Sequence, residues 1–515
     1  MTTSTAQATA LKITDFIATH RQDLIADTQK LLRFRTVSGG SPEQQAEYET
    51  EIPKCLEWLG ELSTRMGFRF RVTGDIHGAG LVGEILWKSD KENAPLVVVA
   101  SHIDVVTPVG DWSSPPFAAE IVDGVLIARG TQDDKGPLMQ SLYGLWAVKE
   151  CGIELPCDVA IVIGTLEETG NWSDMLAYFE TSRKPDFAFT PDADFPIING
   201  EKGMVTVLFE AEWDSPATHA ETGLEFTRIA GGERDNIVPS RTEIGIRFPR
   251  EAEKELTKEL IRETTRYTAE DNQKSNVTVL PSKARNPEAE LYELTISFIG
   301  KAAHASTPRK GHNAILDAFD FVKDIETFPE GVRHFAAFLY FLCQDMNGEA
   351  LGIDAHHDFI GGTSVNLSIV DIRPNTGRAS VNIRPTMGMT TNKVLEQSRA
   401  AADQLASASR MKVSARAKGE VKEAIFLDPE NPAIAGYFAA LRAGFEAVTG
   451  RPCELRSTAG TTYSKAIPNC CAFGPVLTPD EDEMAHQPNE QITVAALERN
   501  ACIYGASLAM LAEFI

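Results

Sequence analysis

Cysteine, basic residues and long apolar runs are all scarce in this sequence of 515 residues. It has eight cysteines, and no two of them show the CxxC spacing of many zinc sites and redox-active dithiols. The longest apolar run, Phe335 to Cys343, is far shorter than the roughly 20 residues that span a bilayer. The first residues lack a basic segment followed by an apolar one, so we predict no signal peptide. We therefore expect a cytoplasmic protein with reduced cysteines and no membrane partner.

Acidic residues outnumber basic ones, 73 to 49, which gives a formal net charge of −24. Binding of a polyanion needs a clustered basic surface, so this balance argues against a nucleic-acid partner. Most acidic groups are expected at a solvated surface, and some are candidate metal ligands. The hydrophobic fraction of 43% is ordinary for a globular protein. The length is too great for a single core and by itself favours about three folding units.

The first 200 residues alternate helices with apolar strands. Helices are predicted at residues 13–34, 53–67, 133–150 and from 173 onward, and strands at 96–106, 158–164 and 186–190. The same alternation of helices and apolar strands returns near the end of the chain, with helices predicted at 431–449 and 494–514 around a strand at 470–473. Strands that are apolar along their whole length belong to a sheet covered on both faces. The pattern predicts an α/β sheet, in which ligands gather beyond the carboxyl ends of the strands.

The middle of the chain has a different pattern of predicted strands and helices, which is typical of an α+β domain. Strands are predicted at residues 204–213, 241–248, 277–280, 291–299, 363–372, 378–383 and 412–417, and helices at 251–270, 312–325 and 393–407. Two successive groups of elements suggest a duplicated small domain, interrupted by an insert at 328–359. We therefore predict a discontinuous α/β catalytic domain of residues 1–200 and 428–515. The inserted α+β lid domain, residues 201–427, would consist of two ferredoxin-like subdomains.

Polar residues follow each of the first three predicted apolar strands. His102 lies at the end of the apolar run of the first strand, Glu167 and Glu168 follow the second strand, and Asp192 follows the third. Nitrogen and oxygen donors at neighbouring strand ends are typical of a metal site. A turn at the two glutamates would let one of them bind metal while the other accepts a proton from a water molecule.

A pair of divalent ions needs about three protein ligands for each ion and a carboxylate shared between them. Asp133, at the start of a predicted helix, is the candidate for the shared carboxylate, and Asp192 and His486 would each complete one ligand set. Asp104 lies two residues after His102 and would orient its imidazole through the second ring nitrogen. This donor set suits zinc, with Co²⁺ or Mn²⁺ as substitutes.

Taken singly, each of these residues has a structural explanation. A His-x-Asp sequence is usually structural, adjacent glutamates are usually solvated, and an acidic pair before a helix usually caps it. Asp192 alone is a turn residue and His486 alone a loop histidine. Their joint placement at strand ends, in this order, favours a dinuclear metal centre.

Seven segments together carry a resemblance to a known family. They are SHIDVV, ARGTQDDKGP, GTLEETG, TPDADFPIINGEKG, AHASTPRKGHNA, NIRP and MAHQPNE. In this order they resemble the co-catalytic dinuclear zinc peptidases related to aminoacylase and carboxypeptidase G2. Within that family, the dipeptidase V and carnosine-type dipeptidase branch is the most similar. The likeness runs from the first predicted helix to the last, and it implies a zinc-peptidase domain with an inserted lid.

The resemblance also implies a role for each candidate residue. The implied ligands are His102, Asp133 and Asp192 for one zinc ion, and Asp133, Glu168 and His486 for the other. Glu167 would be the general base, and Asp104 would orient His102. As in relatives, the peptide bond between Asp133 and Asp134 is expected to be cis.

Three residues of the lid resemble residues that bind substrate in the family. His304 would stabilise the tetrahedral oxyanion, and Asn236 and Arg384 would hold the substrate carboxylate. A guanidinium can bind a carboxylate through two parallel hydrogen bonds, which suits a site for a free peptide C-terminus. The alternatives are a histidine of the lid core, an arginine in a surface ion pair, and, for Asn236, a turn before Pro239.

The segment TAGTTYSK, residues 458–465, departs from the family pattern. Relatives carry a glycine-rich loop similar to GGGTYAR there, with its backbone beside the substrate. Gly460 matches that loop, but Ala459 and Thr461 replace glycines and Lys465 replaces an arginine. Added β-carbons would narrow or reshape the pocket, so the side-chain preference cannot be copied from the family.

The resemblance implies metal-dependent hydrolysis of dipeptides, with a small peptide as the binding partner. The first alternative is an N-acyl amino acid deacylase on the same fold. The second is a catalytically silent binding protein, which the complete set of candidate residues disfavours. A duplicated lid could replace the neighbouring subunit that simpler relatives use. A monomer is therefore the expectation, and a homodimer stays open.

Overall fold

The computed structural model describes residues 3–221, 223–249, 276–281 and 291–515, together with residues 258, 260, 262 and 265. The chain divides into two compact units. Unit 1 consists of Met1–Gly200 and Phe426–Ile515, and unit 2 of Glu201–Ile425. The units number two, fewer than the three that the length by itself favours, because both ends of the chain contribute to the same core. Among the described residues, no helix is long and apolar enough to cross a membrane.

Elements are numbered in chain order over these residues. The helices are α1 (Thr3–Thr19), α2 (Arg21–Leu32), α3 (Pro42–Arg65), α4 (Lys135–Glu150), α5 (Ser173–Thr181), α6 (Ala314–Lys323), α7 (Glu330–Cys343), α8 (Thr391–Ala408), α9 (Ala435–Thr449), α10 (Val494–Ala509) and α11 (Leu511–Phe514). Short 3-10 turns occur at Pro308–Lys310 and Tyr463–Lys465. The strands are β1 (Arg69–Asp75), β2 (Gly80–Trp87), β3 (Leu96–His102), β4 (Glu120–Val122), β5 (Val125–Ile127), β6 (Asp158–Gly164), β7 (Phe187–Thr190), β8 (Ala193–Phe195), β9 (Ile197–Glu201), β10 (Val205–Glu212), β11 (Glu225–Gly231), β12 (Arg241–Pro249), β13 (Asn276–Pro281), β14 (Leu291–Ile299), β15 (His356–His357), β16 (Gly361–Gly362), β17 (Ser364–Ile372), β18 (Thr376–Arg384), β19 (Lys412–Ala417), β20 (Ile425–Phe426), β21 (Leu455–Thr458), β22 (Cys470–Phe473), β23 (Pro475–Leu477) and β24 (Gln491–Thr493).

Unit 1 is built on a mixed sheet with the strand order β1-β2-β6-β3-β7-β22-β9. The four central strands, β6, β3, β7 and β22, are parallel, and the strands outside them pair antiparallel. All seven residues of β3 are buried. Val97 and Val99 point into one hydrophobic core, while Val98 and Ala100 point into a second core on the other face. Both faces are therefore covered, as the continuous apolar run predicts.

Two helix boundaries in unit 1 differ from the predictions. The helix predicted at residues 13–34 is two helices, α1 and α2, which meet at His20. The next helix begins at Pro42 instead of residue 53. Ser41 caps it by accepting a hydrogen bond from the Gln44 N–H, and the Gln44 side chain bonds back to the Ser41 N–H. Pro53 thus lies inside α3, although a proline more often marks a helix start.

Unit 2 contains an antiparallel sheet with the order β13-β14-β12-β11-β17-β18-β10-β19. Its two four-stranded halves join where β11 pairs with β17. The halves do not follow one another along the chain: β10 lies between β18 and β19 in the second half, whereas β14 belongs to the first half. The prediction that the two groups of elements follow one another along the chain is therefore wrong. β10, the first strand of the unit, lies in the same half as β17, β18 and β19. The helix predicted at 251–270 lies mostly outside the described residues.

The apolar run Phe335–Cys343 belongs to the core of unit 2. It forms most of α7, which packs beside α6 over the sheet. The sequence predicts an insert at residues 328–359, because this region breaks the symmetry of the two predicted groups of elements. Its buried side chains, which include Phe335, Leu339 and Leu342, show that it contributes to the main hydrophobic core of the unit.

We predict that Gly144→Ala destabilises unit 1. A β-carbon at this position of α4 would lie 2.7 Å from the Gly505 nitrogen and 2.9 Å from the Ala501 carbonyl oxygen of α10. Alanine gains about 1 kcal/mol in helix propensity over glycine, but overpacking against a rigid backbone costs about 1–3 kcal/mol. We expect a net loss, measured as a lower midpoint of urea unfolding. Ala46→Gly, at an exposed position of α3, measures the effect of helix propensity alone on the unfolding midpoint. A higher midpoint for Gly144→Ala would contradict the prediction.

Candidate metal centre

Three loops of unit 1 meet at one edge of the sheet. β6, β3 and β7 are neighbouring parallel strands, so their carboxyl ends lie side by side. His102 is the last residue of β3 and stands opposite Gly164, the last residue of β6. The loop after β6 carries Glu167 and Glu168, and the residue two after β7 is Asp192. The predicted site residues at strand ends are thus brought to the same edge.

The side chains form two groups that share one carboxylate. His102, Asp133 and Asp192 make up the first group and Asp133, Glu168 and His486 the second, with the donor atoms of each group within 4.8 Å of one another. Asp133 offers a different oxygen to each group. Its Oδ1 is 3.0 Å from His102 Nε2, and its Oδ2 is 3.0 Å from His486 Nε2. His102 Nε2 is also 3.7 Å from Asp192 Oδ2, and His486 Nε2 is 3.0 Å from Glu168 Oε2.

The donor atoms fit a pair of divalent ions. His102 Nε2 and Asp133 Oδ1 lie 3.0 Å apart, and both are buried atoms without a hydrogen-bond partner. Buried polar atoms are normally hydrogen-bonded, so this pair of atoms calls for a ligand. Imidazole nitrogen combined with carboxylate oxygen is the donor set of catalytic zinc sites.

The charges of the site also favour bound cations. Burial and then the charge of Asp133 raise the pKa of Glu168 to about 7 and that of Asp192 to about 6. Burial and then Asp192 hold the pKa of Glu167 well above its usual value. Burial acts to lower the pKa of His486, but its hydrogen bonds to Asp133 and Glu168 outweigh burial and raise that pKa to about 11. The centre thus holds an excess of negative charge, which metal ions can balance in place of protons.

Asp104 supports both sides of this centre. Its main-chain carbonyl oxygen is 3.0 Å from His102 Nδ1, whereas its carboxylate is 3.4 Å from that nitrogen. The carboxylate accepts hydrogen bonds from Ser38 Oγ at 2.7 Å and from the N–H groups of Glu167 and Glu168 at 3.1 Å each. The sequence predicted that the Asp104 side chain orients the imidazole. In the structure the main-chain oxygen makes that hydrogen bond, and the carboxylate holds the turn of the two glutamates.

Asp134 anchors the end of β3 and was not among the predicted site residues. Its carboxylate accepts hydrogen bonds from Ser101 Oγ and, at 3.1 Å, from the His102 N–H. Burial raises the pKa of Asp134 well above its usual value. The peptide bond between Asp133 and Asp134 is cis, as predicted.

Glu490 holds the loop that carries Asp133. This fully buried carboxylate accepts hydrogen bonds from the N–H groups of Gly130, Gln132 and Asp133 at 2.8–3.2 Å, and it pairs with Arg129 Nη1 at 2.6 Å. Glu490 is not a site residue that the sequence predicts, because its hydrogen-bond partners lie 357–361 residues earlier in the chain. Local patterns cannot reveal a partner at that distance.

Gln132 links the Asp133 loop to the loop of His486. Its Nε2 donates to the carbonyl oxygens of Asp482 and Gln491, at 3.2 and 2.9 Å, and its Oε1 accepts from the Met484 N–H at 2.8 Å. His486 has a positive φ of 63°, an uncommon conformation for a residue other than glycine. The side chain of Gln132 therefore holds the segment in which this backbone geometry occurs.

The predicted substrate-binding residues of the lid lie in unit 2 and close to one another. The Asn236 carbonyl oxygen accepts a hydrogen bond from the Ala305 N–H at 2.8 Å. His304 Nδ1 is 2.5 Å from Ser306 Oγ. Arg384 is buried, which lowers its pKa to about 10. Partial burial and then the positive charge of Arg384 lower the pKa of His304. Their roles in binding substrate stay predictions.

Gly460 lies in unit 1, in the loop that follows β21. Its N–H donates to Thr458 Oγ1 at 3.0 Å, and Lys465 Nζ donates to Thr461 Oγ1 at 2.6 Å. This loop is therefore held partly by the polar side chains with which the sequence departs from the family pattern. Its place beside a substrate stays a prediction.

We predict that Glu490→Gln weakens metal binding without unfolding the protein. Glutamine has one acceptor oxygen where the native carboxylate has two, so the N–H groups beside Asp133 lose an acceptor and Arg129 loses its counter-charge. Loss of such an outer contact lowers metal affinity about 10- to 100-fold. Zinc affinity is measured by competition with a chromogenic chelator.

Glu84→Gln provides the matched control. Glu84 is a buried carboxylate of unit 1 that pairs with Arg71 at 2.7 Å, and it lies outside the two donor groups. Equal zinc affinity in the wild type and in both variants would show that Glu490 does not support the metal centre.

The sequence is similar to named proteins over almost its whole length. It is 30% identical over 500 residues to YtjP of Bacillus subtilis strain 168, whose name describes it as a putative dipeptidase; the match covers 96% of this chain and 98% of that protein. A Staphylococcus aureus protein (strain MRSA252) with a name of the same kind is 28% identical, over 94% and 96% of the two chains.

The fold is similar to those of solved peptidases. Human carnosine dipeptidase 1 has a TM-score of 0.58 at 13% identity, with 98% of this chain and 99% of that chain covered. Aminoacylhistidine dipeptidase from Vibrio alginolyticus has a TM-score of 0.55 at 14% identity, covering 95% and 96%. These likenesses confirm the predicted fold class, an α/β domain with an inserted α+β lid. Residues 98–509 match peptidase family M20/M25/M40. The chain therefore belongs to this peptidase family, as its motifs predicted.

Proposed function

We propose that this peptidase hydrolyses dipeptides at a centre that binds two zinc ions, with Glu167 as general base. The observation that carries the proposal is the position of Asp133, whose two oxygens each face a different histidine at 3.0 Å. A carboxylate shared in this way suits two ions about 3.5–4 Å apart. The name of the B. subtilis relative, which is 30% identical over nearly the whole chain, supports a dipeptide as the substrate.

The proposed ligands are His102, Asp133 and Asp192 for one ion, and Asp133, Glu168 and His486 for the other. When bound, the two ions would polarise the scissile carbonyl group and lower the pKa of the attacking water. Co²⁺ or Mn²⁺ could replace zinc on the same donor set.

Glu167 is the proposed acceptor of the proton of the attacking water. Burial raises its pKa, which makes the carboxylate a stronger base than an exposed glutamate. Glu167 then delivers this proton to the amine of the leaving amino acid, so that the peptide C–N bond breaks and a neutral amine departs. Asp104 assists by holding the N–H of Glu167, which fixes where the carboxylate can reach.

We propose substrate-binding roles for four residues, as the family resemblance implies. Arg384 would bind the C-terminal carboxylate, because a guanidinium can make two parallel hydrogen bonds to it. Asn236 would assist in that contact, and His304 would donate a hydrogen bond to the oxyanion. Gly460 would lie beside the peptide. The low pKa of His304 suits a neutral donor at neutral pH.

The proposed partner is a small peptide, and the proposed assembly is a single chain. The sheet of unit 2 already joins two four-stranded halves edge to edge. All eight cysteines are free thiols, and seven of them are buried, which is consistent with the proposed cytoplasmic location.

A substrate panel tests the proposed reaction. Zinc-reconstituted protein is expected to release free amino acids from unmodified dipeptides, and to turn over their N-acetylated analogues at least tenfold more slowly. Each kcat/KM is measured by a ninhydrin or liquid-chromatography assay. Turnover of the acetylated set alone would establish a deacylase instead. Absence of turnover in both sets would refute the catalytic proposal.

A second test removes the proposed base. We expect Glu167→Gln to lower kcat by about 10²–10⁴-fold, the range that general acid–base catalysis contributes. Because Glu167 is not a proposed ligand, the variant should retain two zinc ions per chain by elemental analysis. Glu180→Gln, at an exposed position of α5, controls for the loss of one negative charge. Unchanged turnover in Glu167→Gln would refute the assignment of the base.

A further inference from the structure

A second buried carboxylate holds the turn that carries the two glutamates. Asp174, in the first turn of α5, is almost completely buried. Its Oδ2 accepts hydrogen bonds from the N–H groups of Thr165 and Leu166, at 2.6 and 2.9 Å. Asp104 accepts the next two N–H groups along the chain. The four successive N–H groups of residues 165–168 therefore donate hydrogen bonds to two buried carboxylates.

The same oxygen of Asp174 binds a tyrosine from a distant loop. The Tyr463 hydroxyl donates to Asp174 Oδ2 at 2.8 Å, across 289 residues of sequence. Tyr463 is completely buried and follows Gly460 in the loop at residues 458–465. Its ring makes edge contacts with those of His102 and Trp172, at centroid distances of 6.1 Å. Trp172 in turn donates its indole N–H to the Glu167 carbonyl oxygen at 3.1 Å.

The space around this contact leaves little freedom of movement. A β-carbon on Gly164, the last residue of β6, would lie 2.2 Å from the Tyr463 hydroxyl and 2.8 Å from Asp174 Oδ2. The end of the strand, the tyrosine and the aspartate are therefore packed directly against one another. A shift of one of them displaces the other two, because buried groups at this density have no empty volume to move into.

We propose that Asp174 and Tyr463 form a positioning pair, which fixes the turn of Glu167 and joins it to the loop of Gly460. The pair acts through the backbone: it sets where the turn begins, and Asp104 sets where it ends. The proposal rests on the proposed function for its catalytic consequence, because it assumes that Glu167 is the base. The hydrogen bonds themselves stand independently of that assumption.

Asp174 and Asp104 hold different parts of the turn, and this difference predicts which kinetic property changes when the positioning pair is broken. Asp104 alone bonds to the N–H of Glu168, so the proposed zinc ligand keeps its anchor when the positioning pair is broken. Thr165 and Leu166 would be released at the start of the turn, and the carboxylate of Glu167 would sample more positions. A misplacement of about 1 Å at a reacting group can reduce the rate about 10²-fold. We therefore expect kcat to fall while KM and zinc content stay near their native values.

The test compares Tyr463→Phe with Tyr143→Phe. Tyr143 is a buried tyrosine of unit 1 whose hydroxyl donates to Asp27 Oδ2 at 2.7 Å, so the control removes a tyrosine–aspartate hydrogen bond of nearly equal length. In zinc-loaded protein we expect Tyr463→Phe to lower kcat about 10- to 100-fold, with KM within about twofold. Tyr143→Phe should lower stability to a similar extent and leave kcat within about twofold.

Hydrogen exchange supplies a readout that does not depend on activity. The amides of Thr165 and Leu166, followed by mass spectrometry on a peptide that contains them, should exchange about tenfold faster in Tyr463→Phe than in the wild type or in Tyr143→Phe, whereas those of Glu167 and Glu168, which Asp104 holds, should keep their native rates. Asp174→Asn leaves one uncharged amide oxygen in place of the two carboxylate oxygens, so the acceptor is weaker and the increase should be larger. If Asp174→Asn does not fold, Tyr463→Phe still decides the question.

Each outcome decides for or against the pair. Equal kcat in the two tyrosine variants, a loss confined to KM, or a loss of zinc in parallel with kcat would overturn the catalytic role. Native exchange rates at Thr165 and Leu166 in Tyr463→Phe would overturn the positioning itself. If the wild type turns over neither set of substrates, the proposed function fails, whereas the exchange rates still show whether the pair fixes the turn.

Discussion

Negative charge concentrated beneath the surface is the constraint on which the rest of unit 1 depends. Asp133, Glu167, Glu168 and Asp192 converge at the carboxyl edge of three parallel strands, where burial raises the pKa of the last three. Buried carboxylates at this spacing are costly unless cations or protons balance them. The two histidines alone supply too little positive charge, so the arrangement is suited to bind two divalent ions. A polypeptide can keep such a group in place only if the surrounding loops are rigidly held.

Further buried carboxylates provide that support. Asp104, Asp134, Asp174 and Glu490 accept backbone N–H groups from the loops that carry the centre. Backbone N–H groups carry no net charge, so these bonds fix the loops and leave the charge of the centre for the ions to balance. Glu490 also pairs with the charge of Arg129, at 2.6 Å. The loops are thus positioned by hydrogen bonds whose directions are specific, since each acceptor oxygen has few open sites.

Much of the framework could be predicted from local sequence. The strands at residues 158–164, 291–299, 412–417 and 470–473 have the predicted bounds. In the last of them, Asn469 and Gly474 mark the two ends of the apolar run. The start of α3 differs from its prediction, because Pro53 predicts a helix start but lies inside the helix. The pairing in unit 2 could not be predicted either. β10 completes the half formed by β17, β18 and β19, and strand pairing depends on contacts far apart in the chain.

The sequence by itself determined the types of donor and their position at strand ends, and through its motifs the peptidase family. Donor chemistry belongs to the side chain, and the end of a buried strand is visible where the apolar run stops. Only the tertiary structure decided that each oxygen of Asp133 faces a different histidine, and that Glu490 and Asp174 hold the loops. Their partners include Arg129, 361 residues from Glu490, and Tyr463, 289 residues from Asp174. No local pattern encodes the direction of a hydrogen bond between segments that meet only when the core has formed.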